Sequence, residues 1–265
     1  MSRDRFVSSL NNEHVKHLLS LQEKTRKRKQ TQTFVIEGEK EIQHAMAAGY
    51  RMLEFWMKED QKDPFFDKAE EVQIFHTEAS IFEKLCYRKK TTKIVAVAQM
   101  KNHAITDLAI DKKQGILLVV EAPEKPGNIG ALLRSCDALG IDGMLIVDPT
   151  TDLYNPNVIR SSVGCLFTVP WATASLEEAF TFFKQNNITV FSAALTQAAQ
   201  AYTAVDYPQK AALAVGTEHS GLSKKWLAEE AQQPIIIPMQ GQNDSLNVSV
   251  AAGIILSEMV RQKNM

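Results

Sequence analysis

Apolar and polar positions along the chain follow two spacings, one typical of helices and the other of short buried strands. In residues 1–100, helical spacing covers residues 14–22 and 39–49, and Gly49 stands where a C-cap glycine ends a helix. Short β-branched or aromatic runs between these helices predict strands. The alternation of the two patterns predicts a mostly parallel sheet covered on its faces. The predicted strands are residues 33–38, 51–57, 72–77 and 93–100, with further helices around 64–71 and 78–86.

Residues 99–114 lose this spacing and become polar, which predicts a linker at 101–114. The strand and helix pattern then resumes more strongly. The chain is therefore expected to form two α/β domains, residues 1–100 and 115–265. The strands of the second domain are predicted at 116–121, 143–148, 166–169, 188–193, 211–215 and 234–238, and its helices near 128–140, 155–163, 175–186, 223–231 and 247–262.

The composition is that of an ordinary globular protein, since 45% of the 265 residues are hydrophobic and 23% are charged. The net charge of -1 provides no general attraction to nucleic acid, so such a role would depend on local patches. Cys86, Cys136 and Cys165 form no CxxC pair, which argues against a zinc site and for a reducing compartment. The sequence has no signal-like or membrane-spanning apolar segment. We therefore expect a cytoplasmic protein that binds neither a metal nor a membrane.

A run of cations follows the first predicted helix. Cations near phosphates displace condensed counterions, so the run is a candidate contact for nucleic acid. A solvated helix end is the alternative, because lysine and arginine also suit the negative end of the helix dipole. A second basic cluster at residues 88–93 adds to the run only if the fold places both on one face. The cations of the first run are Lys24, Arg26, Lys27, Arg28 and Lys29.

The segment after the predicted strand 116–121 combines prolines, glycine and two polar side chains. Gly127 and Asn128 stand at the beginning of a helix, where free N–H groups favour anions or the oxygens of ribose and phosphate. The alternative for Asn128 is a simple N-cap. Arg134 lies six residues further among apolar neighbours, either as a snorkelling side chain or as part of a site. The spacing is not GxGxxG, which disfavours a nicotinamide-dependent enzyme.

The segment at residues 216–223 also combines glycine, polar groups and the end of a strand. A buried strand is predicted to end at Gly216, where a glycine lets another backbone or a flat ligand approach closely. Glu218 is suited to orient a base or ribose, to pair with Arg134, or to cap exposed N–H groups. His219 is interpreted as a turn residue, because no neighbour in the sequence would orient it as a catalyst.

A third segment of this kind, residues 245–253, begins the last predicted helix. Ser245, Asn247 and Ser249 crowd its first turn, although a helix needs only one cap. The Ala-Ala-Gly that follows allows close approach of another chain segment or subunit, whereas a helix that only fills a core more often carries leucine or isoleucine. These three segments form the candidate site.

The order and spacing of the segments resemble the three motifs of the SpoU (TrmH-type) RNA 2'-O-ribose methyltransferases of the SPOUT superfamily. The motifs read here GNIGALLRSCDALGIDG, AVGTEHSGLS and IIIPMQGQNDSLNVSVAAGIIL. Residues 14–49 resemble the substrate-binding domain, similar to ribosomal protein L30e, that many members carry. The resemblance implies an α/β fold with an L30e-like domain at 1–100 and a SPOUT domain at 115–265. The SPOUT domain is expected to have a mostly parallel sheet and a deep trefoil knot near its C-terminus.

The resemblance also implies S-adenosylmethionine as the cofactor, held largely by backbone groups of the knotted loops. Arg134 is expected to clamp the phosphate beside the target nucleotide, while Asn128 and Asn247 position the ribose. A general-base role for the arginine is disfavoured because guanidinium groups stay protonated in proteins. The implied cofactor-binding residues are Leu195, Thr196, Gly216, Ile237, Met239, Ser245 and Leu246. The implied catalytic residues are Asn128, Arg134, Glu218, Ser245 and Asn247, and Arg134 joins the five N-terminal cations as an RNA-binding residue.

The function implied by the resemblance is methylation of a ribose 2'-hydroxyl in structured RNA. The two-domain layout favours 23S ribosomal RNA, with transfer RNA as the alternative. The need for a 2'-hydroxyl excludes DNA. The family also implies a homodimer, in which the sequence does not say which subunit supplies Arg134. The remaining alternative is a non-catalytic RNA-binding member of the fold, which the presence of all five catalytic residues disfavours.

Overall fold

The structure, a computed structural model, describes residues 4–61, 72–88, 91–110, 115–229, 232–242 and 244–264. The chain divides into two compact units, unit 1 (Met1–Asn102 and Asp152–Thr168) and unit 2 (His103–Thr151 and Val169–Met265). Among the described residues, no helix has the length and apolar character needed to cross a bilayer. In chain order the elements are β1 (Asp4–Val7), α1 (Glu13–Glu23), α2 (Thr25–Thr31), β2 (Thr33–Glu37), α3 (Glu39–Ala47), β3 (Met52–Lys58), β4 (Gln73–Thr77), α4 (Ala79–Leu85), β5 (Ile94–Gln99), β6 (Ile116–Glu121), α5 (Pro126–Leu139), β7 (Gly143–Val147), α6 (Pro156–Ser161), α7 (Cys165–Thr168), β8 (Trp171–Ala174), α8 (Leu176–Gln185), β9 (Thr189–Ala193), β10 (Gln200–Ala201), β11 (Ala211–Val215), α9 (Lys224–Leu227), β12 (Gln232–Ile236) and α10 (Val248–Lys263).

Unit 1 contains a mixed five-stranded sheet in the order β1-β4-β3-β5-β2. β1, β4 and β3 run parallel, whereas β5 runs antiparallel to both β3 and β2. Four of the five strands therefore run in one direction, but two of the four pairings are antiparallel, so the expected mostly parallel sheet is present here only in part. The physical reason is that hydrophobic spacing reports which faces of a strand are buried, but not the direction in which the chain enters it.

The core of unit 1 forms under the apolar face of α1. Val15, Leu18 and Leu21 are fully buried, as their helical spacing predicts, and they belong to the same cluster as Trp56 and Phe75. The two aromatic rings are stacked with centroids 4.2 Å apart. This apolar cluster is what holds α1 on the sheet.

Residues 152–168 pack within unit 1 through a second aromatic cluster, although their position in the sequence predicts that they belong to the second domain. Phe34 of β2 lies 4.4 Å from Tyr154 and 6.1 Å from Phe167, measured between ring centroids. The hydroxyls of Tyr50 and Tyr154 are 3.2 Å apart, and burial raises the pKa of both phenols. Contacts over more than a hundred residues of sequence, which no local pattern reports, therefore place this segment.

Unit 2 contains a seven-stranded sheet in the order β10-β12-β9-β11-β6-β7-β8, and all of its pairings are parallel. β6, β7 and β11 are buried along their whole length, as continuous apolar strands in a doubly covered sheet are. The predicted α/β fold with a mostly parallel sheet is confirmed here. Residues from the predicted linker also reach this core, since Leu108 and Ile110 are buried in it; residues 111–114 lie outside the described part.

One predicted strand is wrong. Residues 166–169 belong largely to the short helix α7, and the strand of this region is β8, which begins after Pro170. A run of four residues with three apolar side chains does not distinguish a buried helical turn from a strand, which explains the error. The helix predicted at 223–231 ends at Leu227, and the helix predicted around 64–71 lies outside the described residues.

Candidate active site

The carboxyl ends of three neighbouring strands of unit 2 open on one cavity of about 570 Å³. β12, β9 and β11 lie side by side and parallel, although β12 follows β11 in the chain, so the strand order reverses at this point. In open α/β sheets such a reversal leaves a crevice outside the strand ends in which ligands bind. The walls come from the loops that begin after Ala193, Val215 and Ile236, together with one side of α10.

The loop after β11 is folded tightly back on itself. Thr217 and Gly221 exchange two backbone hydrogen bonds of 3.0 and 3.1 Å, and Gly221 has a φ of +67°. The backbone of Gly216 passes so close that a Cβ there would lie 2.0 Å from the carbonyl carbon of Gly221. Glycine at residue 216 is therefore needed for the shape of the loop itself, and the loop forms one wall of the cavity.

In the variant Gly216→Ala, unit 2 is expected to unfold at a lower urea concentration than in the wild type. The added methyl group would force the loop open, and overpacking of this kind costs about 1–3 kcal/mol. The matched control is Gly241→Ala, because a Cβ at residue 241 would meet no described atom within 4 Å. Equal urea midpoints for the two variants would contradict the tight loop.

Glu218 projects from this loop and forms an ion pair with Lys125, the residue just before α5. The side chain of Glu218 is 22% exposed and that of Lys125 is 65% exposed. Glu218 also lines the cavity. Of the three interpretations of Glu218 given above, pairing with a cation is the one observed, but the cation is Lys125 rather than Arg134.

Asn128 and Asn247 come together although they are far apart in the sequence. The amide nitrogen of Asn247 donates to Oδ1 of Asn128 at 3.3 Å, and Asn247 is the N-cap of α10, accepting from the backbone of Ser249 at 3.0 Å. Asn128 is not a cap, because α5 begins at Pro126 and Asn128 lies inside its first turn. Its Nδ2 is buried and has no hydrogen-bond partner among the described residues. Buried donors are normally satisfied, so this nitrogen is available to an acceptor on a ligand.

Arg134 and Ser245 are exposed and do not contact the asparagine pair directly. Arg134 lies on the solvent side of α5 and forms no ion pair within the described part of the chain. The hydroxyl of Ser245 donates to the carboxylate of Asp244 at 3.3 Å, and both residues line the cavity. Of the five predicted catalytic residues, the structure thus joins two directly, places two others on the cavity wall and leaves Arg134 on the neighbouring helix.

Most of the predicted cofactor-binding residues face the same cavity. Leu195 and Leu246 line it and are unusually exposed for leucines, at 69% and 41%. Apolar side chains exposed at the mouth of a cavity are typical of a ligand site. Thr196 does not line the cavity, but its hydroxyl oxygen is buried and unpartnered among the described residues. The other predicted residues that line the cavity are Gly216, Ile237, Met239 and Ser245.

Sequence reasoning missed two charged residues of the site, Lys125 and Asp244. Lys125 stands next to the proline that begins α5, and Asp244 precedes Ser245 in the third motif. Their positions beside predicted site residues were a usable signal. What was not visible is that Lys125 pairs with a residue 93 positions away.

The N-terminal cations of unit 1 do not share one environment. Lys24, Arg26 and Lys29 are exposed and Lys27 is half-buried, all in or next to α2. Arg28 is only 1% exposed, and its Nε lies 2.6 Å from the carboxylate of Asp152. The RNA contact predicted for Arg28 is therefore corrected, because its guanidinium is already enclosed and paired.

The geometry defines a class of protein, a parallel α/β unit with a ligand cavity at the strand reversal, flanked by amide and charged side chains. Comparison with known families makes the class specific. Residues 115–257 match the SpoU rRNA Methylase family, and residues 12–96 match the MRM3-like substrate binding domain. The chain belongs to the SpoU rRNA methylase family.

Individual relatives agree with this assignment. The chain is 30% identical to the 23S rRNA (guanosine(2553)-2'-O)-methyltransferase RlmP of Bacillus subtilis, over 94% of this chain and 97% of that one. It is 35% identical to the tRNA (guanosine(18)-2'-O)-methyltransferase of Thermus thermophilus, over 62% of this chain and 84% of that one. Among solved structures, the AdoMet-bound rRNA methyltransferase from Sinorhizobium meliloti matches with a TM-score of 0.87 and 25% identity, over 98% of both chains.

Proposed function

We infer that the protein is an S-adenosylmethionine-dependent RNA methyltransferase that methylates a ribose 2'-hydroxyl in 23S ribosomal RNA. The observation that carries this inference is the cavity at the strand reversal, bordered by Glu218 and Ser245 and adjoined by the paired amides of Asn128 and Asn247. The choice of ribosomal RNA is supported by the ribosomal relative, which matches nearly the whole chain, whereas the transfer RNA relative matches 62% of it.

The residues of the cavity fit the cofactor. S-adenosylmethionine has a flat adenine ring, and Leu195, Ile237 and Leu246 supply apolar surface for such a ring. The polar edges of adenine and ribose need donors and acceptors, which the backbone of the three loops can supply. The carboxylates of Glu218 and Asp244, which also line the cavity, suit a ligand with a positively charged sulfur. When bound, S-adenosylmethionine supplies a methyl group activated by attachment to that sulfur.

The amide pair is proposed to position the ribose. The free Nδ2 of Asn128 can donate to a ribose or phosphate oxygen, while its Oδ1 is held by Asn247. Asn247 is itself fixed as the cap of α10, so the pair is oriented before the RNA arrives. Alignment of two reactants supplies about 7–11 kcal/mol in the best cases, which makes fixed positioning a sufficient main role for these side chains.

The charged residues are proposed to control the phosphate. Arg134 is exposed and unpaired in the described structure, and its planar guanidinium can bind the phosphate beside the target nucleotide through two hydrogen bonds. Lys125 holds Glu218 and balances its charge, which lessens the repulsion between this carboxylate and the RNA backbone. Ser245 is proposed to contact both cofactor and ribose from the third loop.

The N-terminal region is proposed to be an L30e-like domain, residues 1–100, that binds the RNA for a catalytic domain at 115–265. The exposed cations Lys24, Arg26 and Lys29, with Lys27, are its proposed phosphate contacts, since structured RNA is bound largely through phosphates and shape. We further propose that the loops after β9, β11 and β12 form a deep trefoil knot and that the enzyme works as a homodimer. The support for both is membership of the family.

The test is transfer of a radiolabelled methyl group from S-adenosylmethionine to unmodified 23S ribosomal RNA, with unmodified transfer RNA and DNA of the same sequence as controls. We expect label in the ribosomal RNA at one site that resists alkaline cleavage, and no label in DNA. Label in transfer RNA alone would show that the substrate is transfer RNA and not ribosomal RNA. Cofactor binding without transfer to any RNA would favour a non-catalytic RNA-binding protein. Absence of cofactor binding would refute the inference that the protein is an enzyme.

A further inference from the structure

Unit 1 contains a small cavity beside an exposed aromatic ring, outside the candidate active site. The cavity has a volume of about 230 Å³ and is lined by Gln22 of α1, the loop after α4 and one side of α6. Ligand pockets for drug-sized molecules are usually about 300–1,000 Å³, so this cavity suits a smaller group. Tyr87 lies at its edge and is 69% exposed.

The exposed tyrosine is held firmly in place. The carboxylate of Glu37, at the end of β2, accepts from the backbone N–H groups of Tyr87 and Arg88 at 2.9 and 2.7 Å. It also accepts from the hydroxyl of Thr92 at 2.5 Å. Three hydrogen bonds to one carboxylate thus hold the backbone of Tyr87 and Arg88 and the side chain of Thr92 at the end of β2. The backbone that carries Tyr87 is thus fixed, whereas most of the area of its ring is open to solvent and contributes little to packing.

One cation is stacked on the ring, and a second lines the cavity. The guanidinium carbon of Arg160 lies 3.5 Å from the centroid of Tyr87, an arrangement in which the planar cation is stacked on the aromatic face. Arg160 also donates to Oδ1 of Asn157. Arg88 lines the cavity, is 41% exposed and pairs with the buried carboxylate of Glu41 at 3.5 Å. An aromatic plane with guanidinium groups beside it is the combination that binds an unpaired base and its phosphate.

Two other features of the cavity support a binding role. Burial raises the pKa of Cys86 to about 12, so this thiol stays neutral and the cavity is not equipped for nucleophilic chemistry. Gln22, which donates to the carbonyl of Leu85 at 2.6 Å, comes two residues before Lys24 in the chain. The exposed Lys24, which precedes α2, is therefore close in the chain to a residue that lines the cavity.

We propose that Tyr87, Arg160 and Arg88 form a subsite that binds one unpaired nucleotide of the RNA, with its base stacked on Tyr87 and its phosphate near the arginines. The proposal rests on RNA being the substrate, as inferred above. It assigns recognition of an unpaired nucleotide to unit 1, separate from the ribose that is methylated.

The test measures binding of the full-length protein to an unmodified 23S ribosomal RNA transcript and ultraviolet crosslinking to the same RNA. Stacking of a base on an aromatic ring accounts for about a 5- to 150-fold change in affinity, so Tyr87→Ala should weaken binding by that factor. Tyr87→Phe keeps the ring and should bind within about twofold of wild type. The matched control is Phe6→Ala, which removes another exposed aromatic side chain of unit 1, 55% exposed, that does not line the cavity. The crosslinked peptide should contain Tyr87.

The outcomes separate this proposal from the enzymatic one. In methyl transfer, Tyr87→Ala should raise KM for RNA and leave kcat unchanged at saturating RNA, because the subsite does not touch the reacting atoms. If Tyr87→Ala transfers methyl groups with the same KM as wild type, the proposed subsite is refuted, whereas the proposed enzymatic function is supported. Binding that depends on Tyr87 without methyl transfer to any RNA supports the subsite and removes the enzymatic function. Absence of RNA binding by the wild type overturns the subsite.

Discussion

Methyl transfer by the variant Arg134→Ala is expected to fall about 10²- to 10³-fold, the loss typical when one hydrogen-bond donor that stabilises the transition state is removed from an active site. Arg134 is exposed on α5, six residues after Asn128, and forms no ion pair among the described residues. Its loss should therefore disturb the proposed phosphate contact and not the fold. The measurement is the initial rate of label transfer to 23S ribosomal RNA.

Two companion variants make this result specific. Arg134→Lys keeps the charge but loses the planar fork, so we expect a loss of about tenfold. Lys184→Ala removes another exposed cation of unit 2, from the last turn of α8, and should leave the rate unchanged. Cofactor affinity should be equal in all three proteins. A wild-type rate in Arg134→Ala would show that Arg134 is not a catalytic residue. It would favour the alternative interpretation of Arg134 as a snorkelling side chain.

The second large effect is expected on stability, from the buried ion pair of unit 1. Arg28→Met should lower the free energy of unfolding of unit 1 by about 3–5 kcal/mol, because it leaves the enclosed carboxylate of Asp152 without its partner. The guanidinium also donates to the carbonyl of Leu21 at 2.6 Å and to the hydroxyl of Thr25 at 2.9 Å, so these acceptors lose their donor as well. Urea unfolding followed by circular dichroism measures the change.

The neighbouring cation provides the control for this prediction. Arg26 lies in the same helix but is exposed, and Arg26→Ala should change the unfolding free energy by no more than about 0.5 kcal/mol. In RNA binding the order should reverse, because only the exposed cation is available to a phosphate. The double variant Arg28→Met with Asp152→Asn should recover part of the lost stability, since it removes the uncompensated charge. Equal stability of Arg28→Met and Arg26→Ala would contradict the structural role.

Local patterns in the sequence were sufficient for most elements of both units. The continuous apolar run of β6 and the helical spacing of α1 each depend on neighbours within a few residues, and the structure contains both elements. The same patterns failed for residues 166–169, where three apolar residues in a run of four are too few to separate a helical turn from a strand. They also could not report that β5 runs antiparallel to its neighbours.

The sequence by itself determined the family, through three ordered motifs, and with it the segments that form the cavity. Only the tertiary structure decided which side chains meet: Lys125 with Glu218, Asn128 with Asn247, and Arg28 with Asp152. These partners are separated by 93, 119 and 124 positions in the chain. Hydrophobic spacing and capping signals act over one or two helical turns. Whether a charged side chain is buried against a distant partner or exposed depends on how the whole unit packs. For this reason, five cations that look alike in the sequence have different roles. Arg28 stabilises unit 1 through its ion pair, and the other four are candidates for RNA binding.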